Sequence, residues 1–322
     1  MSTFGFLGRN RISRPQPVGL QVPQGQRQQF NGTSIQIVSA ALPGGGDYIR
    51  TVSQHLTEIS SFPMGNQFLQ AIQATGKNVV IVYGGPNSNQ AAGGLGGYCM
   101  LRRYHDMHDT AQFGQELDRM IRASGKSKSA VATELYQKAI PTWTAGTIPS
   151  PFRNIQVNVG LPSPQQPQRP MGRSLPPIPG SNPAPRKPLP FSPADAIVAK
   201  LDAWIAGTAP LPSYDELDVI LLVLEAQIQR GPGVGTRINY DPHKTATATG
   251  TRPPQVALFH ELTHAYYNAL GAQLGREDSI QEANGGRLFE LMAVGLPPFN
   301  TRPYGENQFR TLLGVTLRPS YP

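Results

Sequence analysis

Residues 256–267 have the sequence VALFHELTHAYY, and the predictions for the rest of the chain start from this stretch. If it is helical, His260 and His264 lie one turn apart on the same face, where two imidazoles can bind one Zn²⁺. Glu261 then lies beside the metal as the base for a bound water. Apolar residues precede the motif and predict a buried helix, which the two prolines at 253–254 prevent from beginning earlier. The alternative is a buried helix with two hydrogen-bonded histidines, but a core helix rarely carries His, Glu and His on its inner surface.

The composition of the chain excludes several classes of protein. The 322 residues, enough for one large domain or two small ones, include 34 Gly and 32 Pro and only 15% charged side chains, so much of the chain must be loop or linker. A net charge of +8 is spread along the sequence without a basic run, so nucleic-acid binding would rest on charge alone. The single cysteine, Cys99, excludes an intrachain disulfide and a cysteine-based zinc site. We expect no membrane-spanning segment and no cleaved signal peptide.

A hydrolytic zinc site needs a third protein ligand and an open position for water. No third histidine follows His264 at short spacing, so we expect a downstream carboxylate. Glu290 is favoured because it lies in the apolar stretch 288–295, LFELMAVG, where a carboxylate is costly to bury without a partner. The sequence leaves open the other candidates, which are Glu282, Glu277, Asp278, His105, His108 and His243.

The C-terminal residues Arg318 and Tyr321 are three positions apart. A guanidinium and a phenol at this spacing could both donate to the oxyanion that forms during peptide hydrolysis. An ordinary surface tail is the alternative interpretation.

The pattern of the chain predicts an α+β fold with a helix-rich core and a small β-sheet. We expect a disordered N-terminal segment at 1–32, the first part of a catalytic domain at 33–140, a Pro-rich linker or insertion at 141–193 and a zinc-protease core at 194–322. The predicted strands are 34–38, 78–83 and 236–241, the last at an edge of the sheet by analogy with other proteases. The predicted helices are 47–59, 64–75, 111–123, 128–139, 194–206 and 213–229.

The Pro-rich segment contains the sequence RSLPPIP at residues 173–179. An arginine followed by two prolines three residues apart fits the groove of an SH3 domain, where aromatic slots take the prolines and acidic residues meet the arginine. Pro-rich linkers also form such strings by chance.

Four motifs resemble the NleD-like family of type III secreted zinc metalloprotease effectors, which includes the HopH and XopG types. They are HELTHAY at 260–266, ELMAVGL at 290–296, the Glu306, Asn307 and Arg310 pattern, and the Arg318 and Tyr321 pair. The last pair is also similar to one in the light chains of clostridial neurotoxins, where it stabilises the transition state. The resemblance covers about residues 236–322 strongly and 34–140 weakly.

The resemblance implies a zincin-like, gluzincin-type endopeptidase with Zn²⁺ as cofactor. It implies a protein secreted by a bacterium and delivered into a host cell, where it cleaves a host protein; for the NleD branch the implied substrates are mitogen-activated protein kinases. The alternative function is a non-enzymatic adaptor in which residues 173–179 recruit host SH3 domains and the zinc is structural. Glu261 argues against the adaptor, because a structural site does not need it.

Overall fold

The computed structural model divides the chain into two compact units. The first comprises Met1–Arg103 and Gln229–Pro322, and the second comprises Tyr104–Ile228. None of the helices in the described part of the chain has the length and apolar character needed to cross a membrane. The described residues are 24–40, 45–84, 87–91, 94–138, 152, 192–247, 250–275 and 286–320.

The structure contains seven strands and ten α-helices among these residues. The strands are β1 (Gly25–Gln29), β2 (Ile35–Ala40), β3 (Val79–Tyr83), β4 (Ser88–Ala91), β5 (Thr236–Tyr240), β6 (Ala246–Thr247) and β7 (Gly250–Thr251). The helices are α1 (Gly45–Ser61), α2 (Pro63–Ala74), α3 (Met100–Asp106), α4 (Thr110–Ala123), α5 (Lys128–Gln137), α6 (Pro193–Ile205), α7 (Tyr214–Val223), α8 (Pro254–Leu270), α9 (Gly286–Val294) and α10 (Glu306–Leu312).

The first unit is built on a five-stranded mixed sheet with the order β1-β2-β3-β5-β4. The three central strands run parallel, and both outer strands are antiparallel to their neighbours. The central strands are those that the sequence predicts at 34–38, 78–83 and 236–241. The helices, this sheet and the separate two-stranded β6–β7 sheet agree with the predicted α+β class.

The expectation that the 236–241 strand lies at an edge is wrong. This strand, β5, is hydrogen bonded to β3 on one side and to β4 on the other. The edge strand is β4, whose sequence SNQA has no alternating apolar residues. Because β4 pairs through backbone groups, its side chains give no pattern from which the strand could be predicted.

The expected disorder of residues 1–32 is also wrong for the last part of that segment. Gly25–Gln29 forms β1, and all five of its residues are exposed. Backbone hydrogen bonds to β2 hold this strand, so it needs no apolar side chain. Residues 1–23 lie outside the described part of the chain.

Alternate residues of the central strands face opposite sides of the sheet. Ile35 and Ile37 of β2 join the main hydrophobic core, whereas Val38, Val80 and Val82 form a smaller cluster. The main core is completed by apolar side chains of α1, α2, α8 and α10. The helix with the two histidines is therefore packed against the sheet, as its apolar flank predicts.

The second unit consists mainly of α4, α5, α6 and α7. The predicted helices at 111–123, 128–139 and 194–206 are confirmed within a few residues. The helix predicted at 213–229 ends earlier, at Val223, and a short 3₁₀ helix follows at Glu225–Gln227. Its predicted cap is confirmed, because Ser213 and Glu216 form a capping box.

Most of the Pro-rich segment 141–193 lies outside the described residues, and so does the SH3-type motif at 173–179. Phe152 is an exception: it is fully buried and its ring contacts Trp204 edge to face, with 6.5 Å between the centroids. The SH3 interpretation stays a prediction.

Gly65 tests the packing of α2 on α1. A Cβ atom at this position would lie 1.9 Å from the carbonyl oxygen of Ile59, so Gly65→Ala forces two backbones apart. We expect this variant to lose about 1–3 kcal/mol of unfolding free energy, measured by chemical denaturation. The exposed neighbour Gln67→Ala should stay within about 0.5 kcal/mol of the wild type. Equal stability of the two variants would contradict this packing.

Candidate metal centre

Helix α8 carries the HELTH motif through the main core. Pro253 caps the helix and Pro254 begins it, as predicted from the two prolines. It ends at Gly271, whose left-handed conformation (φ 61°) terminates the helix and whose Cα faces the backbone of Gly231. All residues from Val256 to Ala265 are buried, so both imidazoles lie on a helix that packing holds on every side.

His260, His264 and Glu290 converge on one point. His260 Nε2 lies 3.1 Å from His264 Nε2 and 3.1 Å from Glu290 Oε2, and His264 Nε2 lies 3.5 Å from the same carboxylate oxygen. The two imidazoles come from α8 and the carboxylate from α9. Among the described residues, this is the group of three potential metal ligands that the structure brings together.

The geometry of these three atoms fits a tetrahedral zinc site. Bonds of about 2.1 Å from a tetrahedral Zn²⁺ place its ligand atoms about 3.4 Å apart, close to the observed separations. Glu290 Oε2 is buried and lies within ion-pair distance of both imidazoles, so this oxygen faces the shared point. Two imidazoles and one carboxylate are also the donor set that leaves a fourth position open for water.

A second carboxylate, Glu306, holds the first imidazole from the opposite side. Glu306 is fully buried at the start of α10, and its Oε2 lies 2.8 Å from His260 Nδ1. Because a carboxylate accepts, Nδ1 carries the proton in this contact, and Nε2 can present a lone pair to a metal once it has lost its own proton. Arg310 donates to the other oxygen, Oε1, over 2.6 Å.

The charges around the site set the protonation of the metal-free chain. Burial would lower the pKa of His260, but the hydrogen bonds and charges of Glu290 and Glu306 outweigh it and raise the pKa to about 10. Burial lowers the pKa of His264. Burial would raise the pKa of both carboxylates, yet the two imidazoles hold that of Glu290 well below its usual range, and His260 with Arg310 lowers that of Glu306 to about 2. Both carboxylates are therefore ionised at neutral pH, which suits a cation site.

Glu261 follows His260 on the same helix and is buried. Its negative charge acts on the imidazole of His264, so the carboxylate lies close to the second proposed ligand. The structure thus brings Glu261 into the same site as the three convergent residues.

Arg318 is placed next to the site by a tight backbone contact. The side-chain amide of Asn307 donates to the carbonyl of Arg318 and accepts from its N–H, each over 2.8 Å. The guanidinium Nη1 lies 3.7 Å from Glu306 Oε2. The C-terminal arginine therefore packs against α10, so the surface-tail interpretation is wrong for this residue.

None of the other described candidates belongs to this group, and four candidates lie outside the described residues. Tyr321 lies outside the described residues, as do Glu277, Asp278 and Glu282. His105 and His108 belong to the second unit, where His105 Nε2 lies 2.8 Å from the carbonyl oxygen of Pro212. His243 is exposed in the first unit.

Sequence reasoning assigned no role to Glu306. The available signal was the i, i+4 spacing of Glu306 and Arg310, which predicts a salt bridge on a helix but not its position. Contact with His260, 46 residues earlier in the chain, is visible only in the tertiary structure.

A family model named Peptidase_M91 and described as an effector protein matches residues 204–321. This match supports the resemblance seen in the sequence. It also supports the broad character of the protein as an effector and a peptidase. No curated protein matches the chain, and no solved structure does so either.

Removing Glu290 tests the ligand set. Purified and dialysed wild-type protein should contain about one zinc per chain, and Glu290→Ala should contain little, because two imidazoles alone bind zinc weakly. Metal mass spectrometry provides the measurement, with Glu58→Ala on α1 as the matched control. A full zinc content in Glu290→Ala would show that another carboxylate is the third ligand, and Glu282 would be the next candidate.

Proton release tests the role of Glu306. Since the pKa of His260 is raised to about 10, this imidazole is protonated at pH 7 and must lose a proton when zinc binds. We expect titration calorimetry in buffers of different ionisation enthalpy to detect release of about one proton from this residue, and a smaller release in Glu306→Gln. Any contribution of a bound water is common to both proteins. Equal release would show that Glu306 does not control the protonation of His260.

Proposed function

We propose that the chain is a zinc endopeptidase, an effector that a bacterium secretes and delivers into a host cell to cleave a host protein. The observation that carries this proposal is the convergence of His260, His264 and Glu290, whose ligand atoms all lie within 4.8 Å of one another. The family match of residues 204–321 supports the peptidase and the effector character.

The proposed ligands are His260 Nε2, His264 Nε2 and one oxygen of Glu290. When bound there, Zn²⁺ supplies a Lewis acid that lowers the pKa of water and polarises a carbonyl group. Glu306 fixes the tautomer and the orientation of His260, a role that carboxylates commonly have behind metal-binding imidazoles.

Glu261 acts as the general base and acid. Its carboxylate takes a proton from the attacking water and delivers it to the amine that leaves when the peptide bond breaks. This assignment needs a carboxylate beside the ligands that does not itself bind the metal. The position of Glu261 supports this assignment, because Glu261 directly follows His260 and its charge acts on the imidazole of His264.

Arg318 and Tyr321 are the proposed oxyanion donors. Arg318 supports this role because its guanidinium lies beside the carboxylate that contacts His260. Tyr321 takes its proposed role from the sequence motif alone. A guanidinium and a phenol together would stabilise negative charge that develops on the carbonyl oxygen.

The proposed substrate is a host protein, and mitogen-activated protein kinases are the candidates that the sequence resemblance implies. The Pro-rich motif at 173–179 is proposed as a docking segment for an SH3 domain rather than as part of the catalytic site. Replacing Arg173, Pro176 and Pro179 by alanine should then weaken the effect in host cells while cleavage of a short model peptide persists.

Glu261→Gln is the test of the catalytic proposal. The amide cannot accept a proton, so we expect cleavage to fall by about 100- to 10,000-fold while the zinc content stays unchanged. Mass spectrometry of new protein N-termini in a host-cell lysate gives the readout, with Glu58→Gln as the charge-matched control. Loss of zinc from Glu261→Gln would instead place Glu261 among the ligands, and wild-type protein that contains zinc but produces no new N-termini would contradict the endopeptidase.

A further inference from the structure

A cavity of about 490 Å³ lies in the first unit near the start of α8, and none of its lining residues is one of the three convergent ligands. Its walls are formed by the β6–β7 hairpin, by the residues just before α8, by helix α10 itself and by the segment that follows α10. The lining residues are Thr245, Thr251, Arg252, Pro253, Arg310, Val315 and Thr316.

The cavity is lined by positive charge without a matching negative charge. Arg252 and Arg310 both contribute to its surface, and none of the described lining residues is an Asp or a Glu. Arg310 already donates through Nε to Glu306 and through Nη1 to the carbonyl of Thr316. Two of the three guanidinium nitrogens of Arg310 are therefore used, and Glu306 balances one of the two positive charges.

Arg252 has no such partner in the described part of the chain. Its Nε–H is buried and makes no hydrogen bond, and no described carboxylate forms an ion pair with it. A buried charged donor without an acceptor is costly, because it has lost its hydration without compensation. This second observation, independent of the cavity itself, points to an acceptor that enters from outside the chain.

Three threonines at the same surface add hydroxyl donors that can rotate towards a ligand. Guanidinium and hydroxyl groups around one space are the donors that bind tetrahedral oxyanions, since each anion oxygen accepts several hydrogen bonds. An apolar occupant would leave these donors unused, and a phosphate, with more acceptor oxygens than a carboxylate, can engage more of them at once.

We infer that the cavity is a binding site for a phosphate group, held by Arg252 and Arg310 with the threonine hydroxyls. This site goes beyond the proposed peptidase function and does not depend on it. Arg310 connects the two sites, because the guanidinium that faces the cavity also donates to Glu306 behind His260.

The probe of the test is inorganic phosphate, titrated into the ¹⁵N-labelled full chain at constant ionic strength. Arginine Nε–Hε signals are followed by NMR, and the signal of Arg252 is identified by its loss in Arg252→Lys. We expect a saturable shift of the Arg252 signal, because its Nε–H gains an acceptor.

Arg252→Gln should weaken phosphate binding by about tenfold or more, followed through the Arg310 signal, since a charge-assisted donor is lost. The phosphate affinity of Arg252→Lys should lie between those of the wild type and Arg252→Gln, because lysine keeps the charge but lacks the planar guanidinium. Arg50→Gln on α1 removes the same charge from an exposed residue and should leave the affinity unchanged.

A second titration uses O-phosphothreonine with blocked termini. Binding about tenfold tighter than inorganic phosphate would identify the group as a phosphorylated side chain, and equal binding would identify the free ion. The inference is overturned if the Arg252 signal does not shift, or if Arg252→Gln and Arg50→Gln bind phosphate as well as the wild type does. Neither result depends on zinc or on cleavage, so the peptidase proposal is tested separately.

Discussion

The buried carboxylate of Glu306 is the constraint on which the candidate site depends. A fully buried carboxylate is stable only with donors around it, and here His260, Arg310 and Arg318 surround it. These contacts join α8, α10 and the C-terminal segment into one polar network inside an apolar core. Because Glu306 occupies Nδ1 of His260, the other nitrogen of the imidazole is directed to the point that His264 and Glu290 share.

Backbone contacts hold the third carboxylate at a matching position. A Cβ atom on Gly305, just before α10, would lie 2.8 Å from the Cα of Gly295, just after α9. This close approach links the helix that carries Glu290 to the helix that carries Glu306. The hydroxyl of Thr263 donates to the carbonyl of Tyr304 over 2.9 Å and attaches the same loop to α8 between the two histidines. The two carboxylates are thereby placed on opposite sides of one imidazole.

Periodicity in the sequence was sufficient to predict most helices and the three central strands. Those elements bury apolar faces, so their patterns follow from the core that they form. The edge strands β1 and β4 were not predicted, because their sequences lack such an apolar pattern. β1 and β4 are held by backbone hydrogen bonds, and their polar side chains carry no signal of pairing. β5 was placed at an edge by analogy with other proteases, and the unpredicted β4 covers its outer side.

The sequence by itself determined the pair of histidines, the neighbouring Glu261 and the start of the helix that carries them. These features depend on spacing along one helix, and two prolines mark its start. It favoured Glu290 through the cost of burying a carboxylate among apolar residues, but it left other acidic residues as candidates. Only the tertiary structure shows that Glu290 converges on the imidazoles, that Glu306 lies behind His260 and that Arg252 faces a cavity without a counter-ion among the described residues. Each of these is a contact between residues distant in the chain, and such contacts follow from packing rather than from local pattern.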